Sequence, residues 1–101
     1  MSRRERIIEL LSTTEVPLDV GQIAAALGID ARNARMLYED LEHIARSLKG
    51  SGMTLLMVPP TCRACGYVFK DLEKPRRPSR CPRCRSERIT TPRFIIRARD
   101  G

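Results

Sequence analysis

The chain has no tryptophan, two tyrosines, two phenylalanines and one histidine in 101 residues. So few aromatics leave Leu, Ile, Val and Ala to build the core. In a chain this short such a core is marginal without a further staple. No apolar run approaches the roughly 20 residues that a membrane span needs. The opening Met1-Ser2-Arg3-Arg4-Glu5 leads into a charged helical pattern instead of a signal-peptide stretch. The expected location is therefore the cytoplasm, with no membrane partner. Glycine-rich phosphate loops and paired carboxylates in a cleft pattern are missing as well. The single histidine, His43, has no accompanying constellation and reads as a surface residue. Little is left to catalyse with, so the expectation is a non-enzyme with no small-molecule substrate.

What the chain does have is positive charge, unevenly placed. The formal net charge is +7. Residues 1–58 hold 7 Lys/Arg against 8 Asp/Glu, whereas residues 59–101 hold 12 against 4, so the excess lies wholly in the second half. All four cysteines lie there too. Excess cationic charge speaks of partners, and the commonest are nucleic acid or an acidic membrane surface.

The first half reads as three helices. Ser2 and Glu5 match a capping box, and Ile7, Ile8, Leu10 and Leu11 follow as an apolar face that Thr13, Thr14 and Pro17 terminate. Asp19 and Gln22 form a second box, with Leu18 and Ile23 placed as a hydrophobic staple. Val20, Ile23, Ala24 and Leu27 supply the buried face, and Gly28 stands where a left-handed residue closes a helix. The spacing predicts a third helix from about Ala31 to Lys49, capped by Asp30 and stopped by Gly50. Ala34, Leu37, Leu41, Ile44 and Leu48 would make its apolar stripe. Two helices joined by the tight Gly28-Ile29-Asp30 turn, with another to pack on, form a helix-turn-helix.

If the third helix enters the major groove, its first turn offers Arg32, Asn33, Arg35 and Met36 to base edges and phosphates. Glu39, Asp40 and Glu42 argue instead for an ordinary solvated face, because carboxylates are repelled by phosphates.

Cys62-Arg63-Ala64-Cys65 and Cys81-Pro82-Arg83-Cys84 form a C-x2-C … C-x2-C array with fifteen residues between the pairs. Each pair can turn both sulfurs toward one cation, and the spacer lets the two knuckles meet in a tetrahedral four-thiolate site. Such a site is closed, hence structural, and holds one Zn²⁺. It supplies the missing staple, because metal-binding free energy is folding free energy. Four thiolates and one Zn²⁺ together carry a charge of about −2, which Arg63 and Arg83 inside the knuckles can offset. Lys70, Lys74, Arg76, Arg77 and Arg80 lie in the spacer, broken by Pro75 and Pro78, as a basic loop away from the metal. Of these, Lys74, Arg76, Arg77 and Arg80 are candidates for phosphate contact.

Met53 to Val58 reads as a strand, and residues 93–99 as another, with Phe94, Ile96 and Ala98 on one face. An unpaired strand is unfavourable, so the two are expected to pair antiparallel beside the helices. The fold class is then α+β. A three-helix winged helix-turn-helix spans residues 1–58, completed by strand 93–99. A small zinc ribbon, residues 59–92, is inserted between the two wing strands. Tandem domains joined by a Pro59-Pro60 linker are the alternative.

Val58-Pro59-Pro60, Cys62 through Lys70, Cys81-Pro82-Arg83-Cys84, Ser86 to Ile89 and Pro92 to Ile96, placed after a helix-turn-helix, resemble one family over nearly the whole chain. It is the archaeal predicted transcriptional regulators with a winged helix fused to a rubredoxin-like zinc ribbon. The resemblance implies zinc at Cys62, Cys65, Cys81 and Cys84 and binding to double-stranded DNA. The knuckles are also similar to those of iron-holding, electron-transferring rubredoxin. The chain departs from rubredoxin in its short spacer, in Arg85 where glycine follows the second pair, and in sparse aromatics near the metal. Zinc is favoured over iron. The leading expectation is a DNA-binding transcription regulator with the ribbon as its wing. The second is a protein-interaction module that docks on the transcription machinery, with RNA polymerase or transcription factors as partners.

Overall fold

The computed structural model describes residues 1–99. Helix α1 (Arg3–Thr13) starts at Ser2, whose hydroxyl accepts from the Glu5 N–H while Glu5 returns the bond to the Ser2 N–H. Helix α2 (Val20–Leu27) repeats the device with Asp19 and Gln22 at 2.8 and 2.9 Å. Each box satisfies two N–H groups that a helix start leaves without partners. Helix α2 ends on Gly28 at φ +70°, a conformation that only glycine adopts without strain.

The third helix differs from its expected extent. Ala31–Asn33 form a 3-10 turn, and α3 proper runs Ala34–Ser47. The cause is Asp30, whose carboxylate accepts from the Arg32 N–H at 2.8 Å while its carbonyl accepts from Asn33 at 2.9 Å. These short-range bonds tighten the first turn. At the other end Leu48 caps the helix, and Gly50 lies in the following turn at φ +84°.

Strands β1 (Met53–Val58) and β2 (Arg93–Ala98) pair antiparallel, with Met53 opposite Ala98 and Val58 opposite Arg93. The expected pairing is therefore present. A contact absent from the sequence reading adds to it: Leu18, just before α2, exchanges both backbone hydrogen bonds with Phe94, at 2.9 and 2.7 Å. This ties the α1–α2 connection to β2.

The core of this half comprises Ile7 and Leu11 of α1, Val20, Ile23 and Ala24 of α2, Leu37, Leu41 and Ile44 of α3, Leu48, and Phe94 and Ile96 of β2. Phe94 is fully buried, and Tyr38 packs edge-on to it at 6.4 Å. Arg97 turns its guanidinium back to donate to the carbonyls of Leu11, Ser12 and Thr14. It thereby satisfies carbonyls that the end of α1 leaves unpaired and complements the negative pole of that helix.

Asp40 corrects one expectation. It does not lie on the outward face with Glu39 and Glu42. It is 1% exposed and accepts from Arg3 at 2.5 and 3.0 Å and from Arg4 at 3.0 Å. Residue 40 falls on the same stripe as Leu37 and Ile44, and its charge is tolerated there because two guanidinium groups from α1 meet it.

Residues 59–92 connect β1 to β2 and carry a second, smaller core of Cys62, Cys81 and Ile89, flanked by Tyr67 and Phe69. Pro60 is buried and its carbonyl accepts from Phe69 at 3.0 Å, so Pro59-Pro60 begins the cysteine unit as packed chain, not as a free linker. Among the described residues, no helix is long and apolar enough to cross a membrane.

Candidate metal centre and nucleic-acid face

The two cysteine pairs are built alike. The Cys62 N–H donates to the Tyr67 carbonyl and the Cys81 N–H to the Ser86 carbonyl, at 2.8 and 2.9 Å. The Cys62 carbonyl accepts from Gly66 and the Cys81 carbonyl from Arg85, at 2.9 and 2.8 Å. The first cysteine of each pair is buried and the second exposed. Pairing of Thr61 with Val68 closes the first turn on itself, and pairing of Cys62 with Ile89 brings it against the segment that follows the second.

All four sulfurs lie within 4.8 Å of one another, with Cys62–Cys84 and Cys65–Cys81 both at 3.6 Å. A disulfide needs about 2.05 Å, so these are four free thiols. Four thiolates about 2.3 Å from one tetrahedral ion stand about 3.8 Å apart, close to what is found. The electrostatics agree. Burial raises the Cys62 pKa, but N–H groups of Cys65 and Ala64 and the neighbouring thiols outweigh it and bring that pKa down to about 7. Cys65 accepts from the Tyr67 N–H, which favours its thiolate, yet burial and its bonds to the other three cysteines push it up to about 12. One thiol ionises readily and its neighbour resists, because four thiolates cannot crowd together without a cation. A Zn²⁺ supplies that cation.

The basic candidates fall into three groups. Arg32 is held by Asp30, whose carboxylate takes its guanidinium at 2.8 Å, and Arg80 lies 4.0 Å from Glu87. Lys74 reaches across to Glu42 on α3 at 3.6 Å, and Arg77 donates through Nε to the Ile89 carbonyl at 3.1 Å. Arg35 and Arg76 are exposed, and neither meets a carboxylate among the described residues. Asn33 is exposed at the start of α3 without a capping bond, and Met36 is half-buried. The structure brings Arg35 together with Lys74, Arg76 and Arg77 in one cleft of about 390 Å³ between α3 and the spacer loop, which Glu39 and Glu42 also line. Tyr38 lines it too; its hydroxyl is buried without a hydrogen-bond partner, and burial raises its pKa. His43 is exposed on α3, clear of this cleft.

Two family models match end to end. Residues 2–56 match the PF0610-like amino-terminal model, and residues 59–99 match the PF0610 rubredoxin-like zinc β-ribbon domain. The chain belongs to the PF0610-like family. The solution structure of protein PF0610 from Pyrococcus furiosus is 42% identical, with a TM-score of 0.79 over 96% of this chain and 90% of that one. No curated protein matches the chain. With this ribbon type and the cysteine geometry together, Cys62, Cys65, Cys81 and Cys84 hold one structural zinc.

Within this PF0610-like ribbon the two knuckles differ at the residue after the second cysteine. Gly66 takes φ +80° freely, whereas Arg85 is forced to φ +63°. A left-handed conformation costs a side-chain-bearing residue roughly 1–2 kcal/mol, part of which glycine gives back through its freer unfolded chain. Arg85→Gly is expected to stabilise the loaded ribbon by about 0.5–1 kcal/mol, read as slower zinc transfer to a chelator. Arg85→Ala removes the same charge and should bring no such slowing. Equal rates for the two variants would show that the backbone is not strained there.

Proposed function

We propose that the protein is a transcription regulator that binds duplex DNA as a winged helix-turn-helix. Helix α3 enters the major groove and the zinc ribbon, set between the two wing strands, takes the place of the wing. The observation that carries this reading is the shared cleft in which Arg35 of α3 stands beside Arg76 and Arg77 of the ribbon loop. A duplex lying along α3 meets cations from both units at once, and phosphate contacts of this kind fix orientation while base edges give sequence preference. The backbone pairing of Leu18 with Phe94 supports the reading, since it adds a third extended segment to the β1–β2 pair. Burial of Asp40 supports it further, because one of the three carboxylates on α3 is neutralised inside the protein.

A second reading draws on Glu39 and Glu42, which line the same cleft. Mixed charge of this kind suits a protein partner, and the alternative is a module that docks on the transcription machinery, RNA polymerase or a transcription factor, without sequence-specific DNA contact.

The discriminating experiment is anisotropy of zinc-loaded protein on a random-sequence duplex across a salt series. DNA binding gives a log–log slope of about −0.9 per phosphate engaged, with several engaged. Arg35→Gln with Arg76→Gln is expected to shallow that slope by about 2 without unfolding either unit. No binding at low salt, with capture of the protein by purified polymerase, would transfer the assignment to the docking reading.

A further inference from the structure

A second basic cleft lies on the ribbon itself, outside the residues to which the sequence assigned DNA contact, apart from Arg77. It has a volume of about 530 Å³ and is lined by Arg63, Arg77, Arg88, Ile89, Thr90 and Thr91. Its construction follows from the pairing of two short extended segments. Cys62 and Ile89 are bridge partners, and both turn inward to the metal and the small core. One step along, the Arg63 N–H donates to the Arg88 carbonyl at 2.8 Å, so these two arginines face each other on the outer side. One step the other way, Thr61 and Thr90 are joined by bonds of 2.8 and 2.9 Å. Arg77 enters from the spacer loop, its Nε fixed on the Ile89 carbonyl at 3.1 Å.

Like charges directly opposite each other across a strand pair are destabilising. A third guanidinium beside them adds to that. Among the described residues, neither Arg63 nor Arg88 forms an ion pair with a carboxylate. The zinc–thiolate centre, on the inner side of the same pairing, offsets part of the repulsion, but twelve Lys/Arg against four Asp/Glu in residues 59–101 leave a surplus. An anion with several oxygen acceptors placed among these guanidinium groups would relieve their mutual repulsion. Guanidinium groups match a phosphate bidentately, and Thr91 is exposed at the rim with a hydroxyl to donate.

We propose that Arg63 and Arg88, with Arg77 behind them, form a phosphate site on the outer face of the ribbon that takes a backbone phosphate of bound duplex. This rests on the DNA-binding reading for the source of the phosphate. Arg77 lines both this cleft and the one beside α3, so the two make a continuous basic track from helix to ribbon.

The test uses the zinc-loaded full chain, ¹⁵N-labelled, titrated with inorganic phosphate against a chloride control of equal ionic strength. Saturable shifts are expected at the amides of Arg63, Arg88, Ile89 and Thr90 and at Arg77 Nε–Hε. Arg63→Gln with Arg88→Gln should weaken that binding at least about tenfold. Arg77 is left intact because it holds the loop. The same double variant should shallow the duplex salt slope by about 1 to 2, while Arg63→Lys with Arg88→Lys keeps most of it. Zinc content and the amide pattern report whether each variant is folded. Absence of saturable shifts in the unaltered protein overturns the proposal. Phosphate shifts with an unchanged slope, in a protein that does bind duplex, overturn the backbone source. Phosphate shifts in a protein that binds no duplex leave the site standing, occupied by free phosphate, and it is the DNA-binding reading that fails.

Discussion

Cys81→Ser is expected to abolish zinc retention and unfold residues 59–92 while α1, α2 and α3 stay folded. Cys81 is 1% exposed, lies 3.6 Å from Cys65 through sulfur and accepts from the Arg83 N–H at 3.3 Å. The rest of its core is small: Cys62, Ile89 and the edge-on pair Tyr67–Phe69 at 5.0 Å. Structural zinc in small domains contributes about 10–16 kcal/mol of apparent binding free energy, far more than so few side chains provide. The helical half has its own core and does not draw on the metal. Metal analysis should fall from one zinc per chain to none. Amide dispersion should collapse in the ribbon alone, with the helical circular dichroism preserved. A ribbon that keeps its dispersed amides in the serine variant after chelation would falsify the structural role of the zinc.

The other large effect is expected at Asp40. Replacing both Arg3 and Arg4 with methionine leaves its carboxylate buried with no cation. Removing the partners of a buried charge costs about 3–5 kcal/mol, and the half-exposed state of the two arginines places this case toward the low end. The pH dependence should change sign as well. In the unaltered protein burial raises the Asp40 pKa, but the bonds from Arg3 and Arg4 outweigh it and hold it below the usual carboxylate value of 3.8. A lowered folded pKa means that this stabilisation is present above the unfolded value and is lost as pH falls through the folded one. Without the arginines only burial remains and the folded pKa lies above the unfolded one. The contribution is then full at acid pH and lost as pH rises through the folded pKa. Thermal melts of both proteins between pH 3 and pH 7 read this directly. Parallel curves would show that Asp40 is not the group the two arginines neutralise.

The same residue shows where the sequence was readable and where it was not. Local signals fared well: both capping boxes, the left-handed Gly28 and the two cysteine knuckles involve residues within a few positions of each other, and spacing fixes their geometry. The β1–β2 pairing followed from the need of two lone strands for a partner. Asp40 was hidden by its chemistry. The period that put Leu37, Leu41 and Ile44 inward also put residue 40 there, but a carboxylate is assumed to be solvated. A signal existed in Arg3 and Arg4, two cations in the first turn of a helix, where the macrodipole disfavours them unless an anion is near. The ties of Lys74 to Glu42 and of Arg77 to the Ile89 carbonyl join parts of the chain far apart in sequence. So does the Leu18–Phe94 bridge. No periodicity encodes such contacts, so a list of basic residues could not separate anchored arginines from free ones.

The core position of Phe94 and Ile96 also sets an order of events during synthesis. These side chains complete a core whose other members are nearly all made before residue 49. A chain leaving the ribosome therefore has its three helices long before the strand that closes them, and domains fold as units as they emerge. The cysteines are made in between, so metal capture can precede closure. Once loaded, the ribbon draws together the ends of a 34-residue excursion between Val58 and Arg93, which face each other in the finished pair. The entropy of closing a loop rises with its length, and a folded ribbon removes most of that length beforehand. Zinc loading is therefore expected to speed the closure of β2 onto the helices without being needed for the helical half to stay folded, since none of that core's side chains belongs to the cysteine cluster.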